Sequence, residues 1–125
     1  MASRTDDEAS LWDRIIAAEH AFSVRERQVW EILRIDPVRW SLDEGFRRTG
    51  EAWCVAILGR YVVWYDVYED SFEVSEWRAL GAIGAGNGLG EGGTLPAAMR
   101  TLISVFETAA RPSDYLGAPP GPAGT

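Results

Sequence analysis

Lysine is missing altogether: all twelve basic residues of the chain are arginines. Without lysine there is no Walker A phosphate loop, no Schiff-base nucleophile and no pyridoxal phosphate anchor. A single cysteine, Cys54, rules out an internal disulfide, and with a single histidine, His20, a zinc centre of the His/Cys type lacks its ligands. No apolar run approaches the roughly 18 residues of a membrane helix. Residues 1–10 are acidic and carry neither the basic nor the apolar region of a signal peptide, so the expected address is the cytoplasm, with no membrane contact. Basic charge is scarce beside acidic charge. Nineteen Asp and Glu leave a net charge of −7, which disfavours direct nucleic-acid binding and favours a cationic partner.

What remains is an ordinary soluble composition in 125 residues, 46% hydrophobic and 25% charged, enough for one domain over residues 1–111. Residues 112–125, with four Pro and three Gly and almost nothing to bury, read as a disordered tail.

Leu11, Ile15, Ala18 and Phe22 line one helical face behind Asp6, Asp7 and Glu8, and predict a helix over residues 7–21. Ser23 with Glu26 forms a capping box for a second segment that Asp36-Pro37 stops. Helix is the preferred reading there, while alternation in residues 29–35 keeps strand open. Residues 36–51 read as a long connection anchored by Trp40, Leu42 and Phe46. Residues 52–58, 61–68 and 71–77 are rich in β-branched and aromatic side chains and predict an antiparallel meander, with turns at Gly59-Arg60 and Glu69-Asp70. Two-residue turns would set Val55 opposite Trp64, Trp53 opposite Asp66, and Asp66 opposite Glu73. Ala52, Cys54, Ala56 and Leu58 would then share the core face with Val63 and Tyr65. Trp53, Trp64, Asp66, Tyr68, Glu73 and Trp77 would share the other. Seven glycines in residues 81–93 read as a mobile loop, with no GxxxxGK in it and no strand of a parallel βαβ unit before it. Thr94, Pro96 and the stripe Leu95, Met99, Leu102, Ile103 and Phe106 predict a C-terminal helix. The expected fold is α+β: one or two N-terminal helices, a three- to four-stranded meander, and an amphipathic helix packed on it.

Asp66, Glu69, Asp70, Glu73 and Glu76 crowd into eleven residues without a base. Such a cluster is either a solvated edge neutralised by Arg47, Arg48 or Arg78, a binding surface for a basic partner, or a carboxylate pair, Asp66 with Glu73, for metal or acid/base chemistry. The partner reading takes Trp53, Trp64, Tyr68 and Trp77 as anchors ringed by the charges of Asp66, Glu69, Asp70 and Glu73. A Cys54/His20 nucleophile pair stands as a minor alternative, Cys54 otherwise being a small buried thiol and His20 a helix-terminal cation. No cofactor is expected.

The run AWCVAILGRYVVWYDVYEDSFEVSEW resembles the aromatic hairpin of a group of small uncharacterised bacterial proteins. The matching positions are Gly59, Arg60, Val63, Trp64, Tyr65, Asp66, Glu69, Asp70, Phe72 and Ser75, with Ile35-Asp36-Pro37 and Trp40 upstream. About half of the chain is covered. Those proteins are similar in size and charge to immunity proteins encoded beside secreted toxins, which implies a non-enzymatic inhibitor of a cationic toxin. An acidic mimic of nucleic acid and a small enzyme using Asp66 and Glu73 are the alternatives. No catalytic motif carries over, and the glycine-rich residues 81–93 replace a more polar, aromatic connection in that group.

Overall fold

The computed structural model describes residues 8–43, 45–46 and 50–109; the expected tail at 112–125 lies outside them. The elements are α1 (Glu8–Ala21), α2 (Val24–Leu33), β1 (Arg34–Leu42), β2 (Glu51–Leu58), β3 (Tyr61–Asp66), β4 (Ser71–Glu76), β5 (Ala82–Ile83), β6 (Gly88–Gly93) and α3 (Leu95–Ala109). The architecture is α+β, as expected, but the sheet is larger than a meander. Among the described residues its six strands run in the order β5-β1-β2-β3-β4-β6, mixed because β1 and β5 are parallel.

The N-terminal elements follow local chemistry. Leu11 and Ile15 are the fully buried members of the α1 stripe. Glu26 N–H donates to Ser23 Oγ (3.1 Å) and Ser23 N–H donates back to Glu26 Oε1 (2.9 Å), so the capping box starts α2 as read. The chain then turns directly into β1, and the expected connection over residues 36–51 is corrected: residues 34–42 form the nine-residue strand paired with β2. Pro37 is tolerated because the β1–β2 register slips between Arg34 and Val38, where no ladder donor is required.

Two register features reassign the faces. β2 carries a bulge between Cys54 and Ala56, so Trp53 pairs with Tyr65 and Cys54 with Trp64, not Val55 with Trp64 or Trp53 with Asp66. Residues before the bulge therefore change face. Trp53 and Val55 join Ala56, Val63, Tyr65, Phe72 and Val74 under the helices, together with Leu11, Trp30, Met99 and Leu102. Ala52 and Cys54, expected on that face, fall instead into a second core with Trp40, Val62, Trp64 and Ile83 on the opposite side. Among the described residues no helix covers this side; Phe46 meets Trp64 edge-on at 5.8 Å, and Trp77 meets Trp40 at 6.1 Å.

Residues 81–93 are not simply a loop, for they supply β5 and β6. Glycine is needed where the backbone crowds its neighbours. Gly90 has φ +65°, and a Cβ there would lie 2.9 Å from Thr101 Oγ1 on α3. α3 itself forms as read, capped by Thr94 Oγ1, which accepts from the Ala97 N–H (3.2 Å), and buries Leu95, Ala98, Met99 and Leu102. No helix among the described residues is long and apolar enough to cross a membrane.

Candidate functional site: the acidic hairpin tip

The β3–β4 connection decides which acids meet. Asp66 pairs with Ser71, Trp64 with Glu73 and Val62 with Ser75, so the turn holds four residues, 67–70, rather than two. The physical reason is the side chain of Asp66. Its Oδ1 accepts from the N–H groups of Tyr68 (3.0 Å) and Glu69 (3.3 Å), an Asx-type turn that a two-residue connection cannot make. Asp70 closes the turn at φ +51°, a left-handed conformation that Asp tolerates better than most residues. The expected cross-strand contact between Asp66 and Glu73 is thereby corrected, and with it the geometric basis for a carboxylate pair.

Asp70 is held from two sides. Arg14 Nε of α1 donates to its Oδ1 at 2.8 Å, and the hydroxyl of Tyr65 donates to the same oxygen. The guanidinium of Arg14 also stands 5.5 Å from the centre of the Tyr65 ring. The hydrogen bond to Asp70 raises the pKa of Arg14. Burial, and then the hydrogen bond to Asp70, push the Tyr65 phenol up to about 12. One base that meets this cluster is Arg14, fifty-six residues from Asp70 in sequence; Arg47 and Arg48, expected as neutralisers, lie outside the described residues. Glu73 takes a hydrogen bond from Ser71 Oγ at 2.6 Å.

The eight expected site residues part company. Tyr68 (67% exposed), Glu69 and Asp70 project from the tip. Asp66 sits just beneath them, 7% exposed, as the organiser of the turn. Trp53, half-buried on the helix-side face, borders the same end of the sheet, where it lines a shallow depression with Glu51, Asp66 and Tyr68, and Arg39 stacks 4.2 Å from its ring. Trp64 is 4% exposed, its indole N–H donating to Ser75 Oγ at 3.0 Å, so it is a core residue and not a surface anchor. Trp77 lies at the far end of the strands, donating to the Gly59 carbonyl at 3.0 Å beneath Arg60. Beside the tip an open groove runs between α1 and the start of α3. Ala17, Ala18, Phe72, Leu95 and Pro96 are its apolar lining, and Arg14, Glu69 and Asp70 its charged lining. The sequence reading gives Tyr65 a place in the core alone, and gives Arg14 and this groove no part in the site.

The Cys54/His20 pair does not assemble: Cys54 is wholly buried in the core opposite the helices, and His20 is exposed in the last turn of α1. Burial raises the Cys54 thiol well above its ordinary range, which leaves it un-ionised and inert. Among the described residues no three His, Cys, Asp or Glu side chains gather in a metal-binding group. Comparison with known proteins found no matching family model, no matching curated protein and no matching solved structure.

Proposed function

We propose that the protein is a non-enzymatic binder of a basic protein partner, an inhibitor of the immunity type that covers a cationic toxin with its hairpin tip. The observation that carries this reading is the rigid presentation of an exposed aromatic among acids. Tyr68 stands 67% exposed beside Glu69 on a turn whose backbone is tied by Asp66 and whose last residue is tied by Arg14 and Tyr65. A preorganised loop loses little conformational freedom on binding, and an exposed tyrosine ringed by charge is the composition of an interface hot spot. The neighbouring groove suits a long cationic side chain, its apolar stem on Phe72 and Pro96 and its charge at Glu69. The overall charge of −7 adds attraction to a basic surface at long range.

The test is kinetic and uses the product of the gene adjacent to this protein's own. Glu69→Lys is expected to slow association at low salt and flatten its salt dependence, since exposed charges act through steering. Tyr68→Ala is expected to speed dissociation, with a loss of about 2 kcal/mol or more if the ring is an anchor. Unchanged rates in both variants, with their folds intact, would remove the hairpin tip from the binding surface.

A further inference from the structure

The six-stranded sheet ends at β6, and among the described residues no strand pairs with its outer side. The opposite edge, β5, is only two residues long, whereas β6 spans six, Gly88–Gly93. Edge strands are normally guarded by lysine, proline, bulges or inward charge; β6 has no lysine or proline and a single charged residue, and its irregularity against β4 is confined to the stretch between the pairs Val74–Leu89 and Phe72–Gly93. Gly88, Gly90 and Gly92 are exposed. Gly90 is glycine because of Thr101, but Gly93 has nothing within 4 Å of a would-be Cβ and Gly88 only the Val74 carbonyl at 3.8 Å, both without positive φ. Their bareness answers to nothing among the described residues, and a bare strand is what the close approach of another backbone needs.

Two further features give that approach a direction. On one side of β6 a groove opens against α3, lined by Ala97, Thr101, Ser104 and Val105 and by Arg100, whose guanidinium is paired with Glu26 at 3.0 Å. On the other side the Glu73 carboxylate lies across Gly92, occupying the space where a Cβ would be. The acid of β4 thereby reaches the edge through a gap that only glycine leaves.

We propose that β6 is the seat for an extended segment of the basic partner, which adds to the sheet as a seventh strand. Its backbone pairs with the open edge; its small side chains point into the α3 groove, and its basic side chains, alternating with them, point toward Glu73. This rests on the reading of the acidic tip as the partner-binding surface, and adds the main-chain contact to it.

The probe is a capped hexapeptide of alternating Arg and Val, titrated into the full-length protein labelled with nitrogen-15. Two companions are an analogue N-methylated at alternate residues, in both registers, and one with Glu in place of Arg. The expected result is amide shifts and slowed exchange across residues 88–93 with the Arg peptide, lost on N-methylation in one register and absent with the Glu peptide. Shifts confined to residues 66–70, indifferent to N-methylation, would overturn strand addition while leaving the acidic tip as a binding surface. Equal protection by the Glu peptide would overturn the basic occupant, and no response at residues 88–93 to any peptide would overturn the seat. Shifts of the same amides with protein concentration alone would transfer the edge to a second copy of the chain.

Discussion

Tyr65 shows how a residue that reads as core can also carry a polar duty. The sequence reading placed it on the buried face, where it is, 2% exposed, but its hydroxyl reaches the edge of the core and fixes Asp70. Its folded-state pKa is raised from 10.0 to about 12, so its stabilisation is complete below pH 10 and is lost as pH climbs through about 12. Tyr65→Phe should cost about 1 kcal/mol at pH 7, the worth of one hydrogen bond, and should lose less additional stability between pH 9 and 11.5 than the parent in urea unfolding. Glu26 has the opposite sign. The Ser23 N–H foremost, and Arg100 after it, hold its carboxylate below the usual 4.5 against the opposing effect of burial. Its contribution is present above pH 4.5 and drains away as pH falls below it, so Glu26→Gln should lower stability at pH 7 and flatten the acid limb of the stability curve. The capping box was readable from Ser23 and Glu26 because it is local. The Arg100 partner, on a helix far along the chain, was not.

Elements that bury one stripe against their neighbours were readable, and those set by tertiary pairing were not. α3 carries its own signal, a capping threonine, a first-turn proline and an apolar stripe, and Leu102, 1% exposed, lies at its centre. Leu102→Ala should cost roughly 2 to 5 kcal/mol, measured by denaturant unfolding, as a cavity opens in the core it shares with Trp30 and Val63. β1 was hidden by Pro37 and by a burial pattern in which only Trp40 is fully enclosed. β6 was hidden because its glycines carry no strand propensity; they are chosen for closeness. The two should therefore respond differently to a methyl group. Gly90→Ala, at φ +65° and against Thr101, should destabilise by about 1 to 3 kcal/mol, while Gly93→Ala, in open space, should stay within about 0.5 kcal/mol of the parent in the same assay. The bulge at Val55 and the four-residue turn at 67–70 show why hairpin register is hard to count from sequence. One extra residue in β2 moved Trp53 to the helix-side face, and the Asx turn at Asp66 moved Glu73 opposite Trp64.

At the scale of the whole molecule, charge and aromatic content pointed to a partner surface, but burial decided which aromatics could serve it. Six tryptophans in 125 residues suggest anchors, yet Trp30, Trp40 and Trp64 are buried and close two cores on either side of one sheet. What is left at the acidic end is Tyr68 with Glu69, Asp70 and the half-buried Trp53, beside an apolar groove and the edge of β6, which no described strand covers. On the proposed function, the net charge of −7 is what attracts a basic partner and the tied turn is the fixed surface it meets. The most direct measurement is the hydrogen-exchange footprint of the protein in complex with the product of the adjacent gene. Slowed exchange at the hairpin turn, residues 66–70, extending into residues 88–93, is the expected result. A footprint that leaves those residues untouched and falls instead on the exposed Ile32 and Phe106 side of α2 and α3 would contradict it.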